Sequence, residues 1–150
     1  MLDWLTFGLA FVGYVLLAAD GARRWRGHRH PALLCAAAAV ILAHVTCVWG
    51  LRFGGSLDAA LAKGWPPFLL FHGALSLIVA AVLVPEPWRT RLALTALAVV
   101  TAGALPAPFR YDELALLRLP MLAVAAAAVA LAVRPRKPIA QDGVRARPAR

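Results

Sequence analysis

Charge is scarce in this sequence, and so are the residue patterns that carry catalysis. Of 150 residues, 15% are charged and seven are acidic. A soluble domain averages about 25% charged and about 45–50% apolar, whereas here 62% of residues are apolar and the mean hydropathy is +0.74. Ser56 and Ser76 are the only serines, and neither lies in a recognisable motif. No nucleophile–base pair, phosphate-binding loop or paired-carboxylate site is legible, so the sequence gives no ground for intramembrane hydrolysis or for an enzyme. Cysteine is equally sparse. Cys35 and Cys47 lie twelve residues apart in one apolar run. On a straight helix that is about 18 Å, too far for a disulfide. The net charge of +9 raises the question of nucleic acid. However, the basic residues sit in short clusters between apolar runs rather than on a soluble domain with interleaved aromatics. This is how topology signals look, and it excludes a nucleic-acid partner.

Long apolar runs are what the sequence does have. Five stand out, at residues 4–19, 31–51, 67–84, 88–105 and 114–133. Spanning a bilayer takes about 17–25 residues, and backbone amides in lipid must bond within their own segment. The expectation is therefore an all-α integral membrane bundle of five transmembrane helices over residues 1–133. The first span is slightly short. The fifth is Ala-rich and is expected to pack against its neighbours rather than face lipid, because small side chains permit close helix contact. Residues 134–150 read as a basic, Pro-rich, disordered cytoplasmic tail drawn weakly to anionic lipid.

The loops set an orientation. Arg23, Arg24, Arg26 and Arg29 follow the first run, Arg89 and Arg91 follow the third, and Arg134, Arg136, Lys137, Arg145, Arg147 and Arg150 follow the fifth. The other two loops hold Arg52 and Lys63 opposed by Asp58, and Arg110 and Arg118 opposed by Asp112 and Glu113. If every run spans, twelve of the sixteen basic residues share one side, which the positive-inside rule places in the cytoplasm. The N-terminus is then outside and the C-terminus inside. A signal peptide is not expected, since "MLDW" carries an acid where a basic n-region belongs. Trp4, Trp25, Trp49, Trp65 and Trp88 fall near predicted helix ends, where an indole favours the interface. High Ala and Arg usage suits a GC-rich bacterium, and hence a bacterial inner membrane. In the outer loop, Ser56 is placed to cap a short helix that Gly-Trp-Pro-Pro ends.

"ILAHVTCVWG", residues 41–50, puts an imidazole inside a span. His44 lies about six residues, or about 9 Å, before the end of the second helix. His72 lies about five residues, or about 7.5 Å, into the third. The two helices are consecutive and antiparallel, so the two rings sit at nearly equal depth toward the outer side. Several readings stand. Two axial histidines on neighbouring helices suit a b-type haem, with Gly50 and Gly73 leaving room, Phe68 and Phe71 packing on the porphyrin, and Arg52, Lys63, Arg110 and Arg118 on the propionate side. Alternatively, His44 makes a cross-helix hydrogen bond, to Thr46, Ser76, Thr101 or water, and His72 meets a loop carbonyl. A copper site is a further alternative: Cys47 shares a helix face with His44, and His44, Cys47, His72 and Met121 form a donor set suited to Cu(I). Other polar groups are expected to be structural. His28 and His30 are solvated, Asp20 pairs with Arg23 or Arg24, and Asp112 and Glu113 sit at a helix start.

"AHVTCVWGLRFGG" resembles the His-then-Trp-Gly helices of copper-resistance D-type membrane proteins. The helix pair from "GHRHP" to "FHGALSLI" is similar to small b-type cytochromes and oxidase-assembly membrane proteins. The likeness covers roughly residues 27–85 and implies haem or copper handling at His44 and His72. Three functions follow as expectations: a haem-binding electron-transfer or redox-accessory subunit; a non-enzymatic accessory or assembly factor packed against a larger complex; and a small transporter. The last would want a polar path or broken helices near the midplane, and few such residues are present.

Overall fold

The computed structural model describes residues 2–62, 64–106, 109 and 112–133. The expectations made for the tail at 134–150, for Lys63 and for Arg110 lie outside the described residues. Among those described, every regular element is helical. They are α1 (Leu2–Trp25), α2 (Ala32–Cys47) continuing as a π-helical turn (Val48–Arg52), a short α3 (Leu57–Leu61), α4 (Trp65–Leu83), α5 (Trp88–Ala104), a 3-10 turn (Asp112–Leu117) and α6 (Arg118–Val133). Among the described residues, three stretches are long and apolar enough to cross a membrane: Trp4–Trp25, Ala32–Arg52 and Trp65–Leu83.

The first helix is longer than the 4–19 run expected for it, extending through Trp25. Two features carry it past Asp20. Asp20 and Arg24 pair across one turn of the same helix, and Arg23 and Arg24 sit in the last turn, where cations favour the dipole. The second helix does not stop at Cys47. The Phe53 amide reaches back to the Val48 carbonyl at 3.1 Å, the i to i−5 register of a π turn. Gly54 and Gly55, at φ of 57° and 74°, then end it. Ser56 caps α3 as anticipated, accepting from the Ala59 amide at 3.3 Å. The third apolar run begins two residues before its expected start, because Pro66 and Pro67 occupy the first turn of α4, where a missing N–H costs nothing. All five tryptophans lie at or within a turn or so of a helix end, or in the π turn.

Four helices form a ring in which α1 packs on α2, α2 on α4, α4 on α5, and α5 on α1. Its core is built largely from alanine: Ala37, Ala38, Ala81, Ala93 and Ala96, with Tyr14, Leu17, Leu34, Ile78 and Leu97 filling between them. Helices in lipid gain little from burying apolar surface against one another, so close backbone approach does more of the work. Gly13 shows how close. A Cβ placed there would stand 2.6 Å from Ile41 Cγ1 of α2. The buried positions of α1 repeat every seven residues, as Thr6, Gly13 and Asp20, and as Leu17 and Arg24, the pattern of a helix enclosed by neighbours on one side.

α6 corrects an expectation. It packs on α1 and buries Met121 and Ala125, but its other side is open, with Leu119 78% exposed and Ala126 and Ala130 exposed. The small residues of this helix therefore lie on both its packed and its open side, with Ala125 buried and Ala123, Ala126, Ala127 and Ala130 exposed.

Candidate functional site

Two groups of polar side chains mark the two ends of the bundle, the imidazoles at one and an ionic cluster at the other. The first end holds the histidines. From His44 to the end of the π turn at Arg52 is eight residues, about 12 Å; from Trp65 to His72 is seven, about 10.5 Å. The depths expected of the two rings are thus still close.

Their partners differ from those expected. His44 Nδ1 donates to the Thr6 carbonyl of α1 at 2.8 Å. This is a cross-helix hydrogen bond, but to a backbone oxygen on a helix that offered no side-chain signal. The hydroxyls considered as partners are engaged elsewhere. Thr46 Oγ1 donates to Leu42 O at 2.9 Å, Ser76 Oγ to His72 O at 2.9 Å, and Thr101 Oγ1 to Leu97 O at 2.7 Å. Each satisfies a hydroxyl on its own helix, one turn back. Because the Thr101 proton is so used, its oxygen accepts from the Tyr14 hydroxyl at 3.0 Å and ties α1 to α5.

His72 Nδ1 donates to the Phe68 carbonyl of α4 at 2.8 Å, not to a loop carbonyl. Its ring stacks on Phe68, with centroids 3.9 Å apart and planes at 25°. The buried side of α4 is marked by Ala74, Ile78 and Ala81. At 3.6 residues per turn, His72 lies about 150° around the helix from that side. One imidazole is therefore turned to α1 and the other is held against its own helix, so that each ring is accounted for without a shared ligand.

The donor chemistry itself fits metal ligation. With Nδ1 protonated and bonded to a carbonyl, the lone pair of each ring is on Nε2, which is how a ligating imidazole is usually held. Gly50 and Gly73 both face open space. Of the other expected contributors, Arg52 is exposed, Cys47 is free and half-buried, and Met121 belongs to the apolar core. Among the described residues no three His, Cys, Asp or Glu side chains gather into a metal-holding group. Phe68, placed in the haem reading against a porphyrin, has its face against His72.

The opposite end holds an ionic cluster. Asp20 and Arg24 are 1% and 6% exposed. Arg24 Nε donates to Asp20 Oδ2. Its Nη1 donates to Glu86 Oε1 at 2.7 Å and to Thr90 Oγ1 at 3.2 Å, while Thr90 donates to Glu86 Oε2 at 2.8 Å. One guanidinium thus joins the end of α1, the α4–α5 turn and the start of α5. Its Nη2 is buried with no partner among the described residues. Nearby, Arg89 Nε donates to the Ala81 carbonyl at 3.3 Å and Arg91 lies over the Trp88 ring at 5.1 Å. The expected pairing of Asp20 is therefore with Arg24 rather than Arg23, which is exposed. Glu86 and Thr90 were not legible as partners, because 62 and 66 residues separate them from Arg24. The available signal was a lone acid between two prolines in a turn otherwise basic. At this end, His28 and His30 are exposed as expected, and His30 Nδ1 accepts from the Ala32 amide at 3.3 Å.

Burial pushes the Glu86 carboxyl up, but the hydrogen bonds from Thr90 and Arg24 and the Arg24 charge together outweigh it and hold the group below the usual glutamate value. A depressed folded pKa contributes stability that is present above the unfolded value and lost as pH falls through the folded one. Thermal unfolding of the detergent-solubilised protein should therefore show a loss of stability on the acid side of the glutamate range, reduced in Glu86→Gln. An identical acid profile in both proteins would show that the link contributes nothing.

Comparison of the chain with family models, curated proteins and solved structures found no match.

Proposed function

We propose that the chain is a multi-pass protein of a bacterial inner membrane, crossing five times with the N-terminus outside and the C-terminus in the cytoplasm, and that it serves as a non-enzymatic accessory subunit within a larger membrane complex. The alternation of basic loops supports the five crossings, as does the placing of the tryptophans at helix ends. The 17 residues of α5 rise about 25 Å, close to the hydrocarbon thickness.

One observation carries the functional reading. The intramembrane polar side chains make bonds that hold the fold: His44 to α1, Tyr14 to Thr101, and Thr46, Ser76 and His72 to their own helices. Groups spent in this way build a scaffold. Among the described residues they leave no polar path of the kind a transporter would need, and no nucleophile beside a base. The open side of α6 offers small residues, suited to close contact with a neighbouring helix.

A second reading, a b-type haem ligated by His44 and His72, draws on the Nδ1 bonds of both rings, which leave Nε2 as the unprotonated nitrogen of each. A single preparation separates the two. Extracted in mild detergent, an accessory subunit is colourless and elutes in an assembly larger than a 16.0 kDa chain in its micelle. A haem protein shows a Soret band with split α and β bands on reduction, lost in His44→Ala and in His72→Ala. That spectrum would overturn the accessory reading.

A further inference from the structure

Between α1 and α6 runs an apolar groove, open on its outward side, with a volume of about 360 Å³. Val15, Ala18, Ala19 and Ala22 form one wall, and Ala123 and Ala127 belong to the other. The groove exists because alanine stands at positions where a leucine would fill it. Its polar counterpart lies at one end. Val15, Ala19, Ala22 and Arg26 recur at i, i+4, i+7 and i+11, one line along the helix surface. The helical path persists to Arg26, whose amide bonds the Ala22 carbonyl at 3.3 Å. Arg23, beside Ala22, and Arg26 are both exposed, whereas Arg24 turns the other way into the ionic cluster.

We infer that this groove and the two arginines form a binding site for one anionic phospholipid of the inner leaflet, with an acyl chain against the alanines and the phosphate at Arg23 and Arg26. Charge complementarity selects the occupant. A second copy of this chain would bring its own arginines to the same rim, whereas an anionic headgroup neutralises it, as basic pockets between membrane helices do on the cytoplasmic side. The inference rests on the multi-pass reading, and the two fail separately. Release of the chain from membranes by alkaline carbonate would sink the multi-pass reading, whereas the lipid experiment addresses the site alone.

The test is native mass spectrometry of the full chain released from detergent, titrated with palmitoyl-oleoyl phosphatidylglycerol or with the phosphatidylcholine of the same chains. The site retains one phosphatidylglycerol and discriminates against phosphatidylcholine. In Arg23→Gln/Arg26→Gln the affinity falls about 30-fold, given the contribution of each basic residue to anionic-lipid attraction. Both arginines are exposed, so this variant keeps its helicity by circular dichroism. Ala19→Phe, which plugs the groove, also loses the lipid. The inference is overturned if phosphatidylcholine binds as tightly, if the double variant retains phosphatidylglycerol, or if inorganic phosphate displaces it fully, which would mean a headgroup site without the groove. Unchanged lipid binding with altered dimerisation in Ala19→Phe would assign the groove to a second copy instead.

Discussion

Replacing Arg24 by methionine is expected to cost about 3–5 kcal/mol of stability, the effect of removing one partner from a buried ion pair. The cost comes from what remains. The Asp20 side chain is 2% exposed and Glu86 22%, so the variant leaves two carboxylates without their shared cation and with little water to solvate the first. The difference in exposure ranks the companions. Asp20→Asn should be more damaging than Glu86→Gln, because Glu86 retains some solvent and its bond from Thr90. Arg24→Lys should recover little, since an ammonium lacks the planar fork that reaches Asp20, Glu86 and Thr90 together. Changing all three groups at once, Asp20→Leu, Arg24→Met and Glu86→Leu, should restore much of the loss, because a buried ionic group replaced wholly by apolar side chains is often neutral. Thermal or denaturant unfolding in detergent reads the series. Equal stability of Arg24→Met and the parent protein would mean that the cluster does not hold α1 to the α4–α5 turn.

Helix positions were legible in the sequence because they depend on local composition. The apolar runs, the capping serine at Ser56 and the terminal tryptophans are all set by neighbours within a few residues. What the sequence hid was of two kinds. Charge inside a span misled the end of α1: Asp20 and Arg24 read as the loop boundary, but each neutralises the other within one turn and the helix runs on. Partners supplied by backbone carbonyls were invisible. His44 was legible as a polar ring needing a partner, yet the partner is the Thr6 carbonyl, an atom every residue carries. For His72 a carbonyl partner was expected, but from a loop rather than from Phe68 of its own helix. Matched depth of the two rings was readable from helix rise alone. Their directions were not, because rotation about each helix axis is set by which alanines face the core.

The proposed topology and the lipid site share one premise: the end bearing Asp20, Arg24 and Glu86 lies at the cytoplasmic face and the end bearing His44 and His72 at the opposite one. Single-cysteine labelling tests this directly. In a background with Cys35→Ser and Cys47→Ser, His28→Cys marks the exposed loop after α1 and Asp58→Cys the exposed loop holding α3. A membrane-impermeant maleimide applied to intact cells should modify Asp58→Cys and leave His28→Cys unmodified until the membrane is permeabilised. Labelling of both from outside, or of His28→Cys alone, would contradict the account.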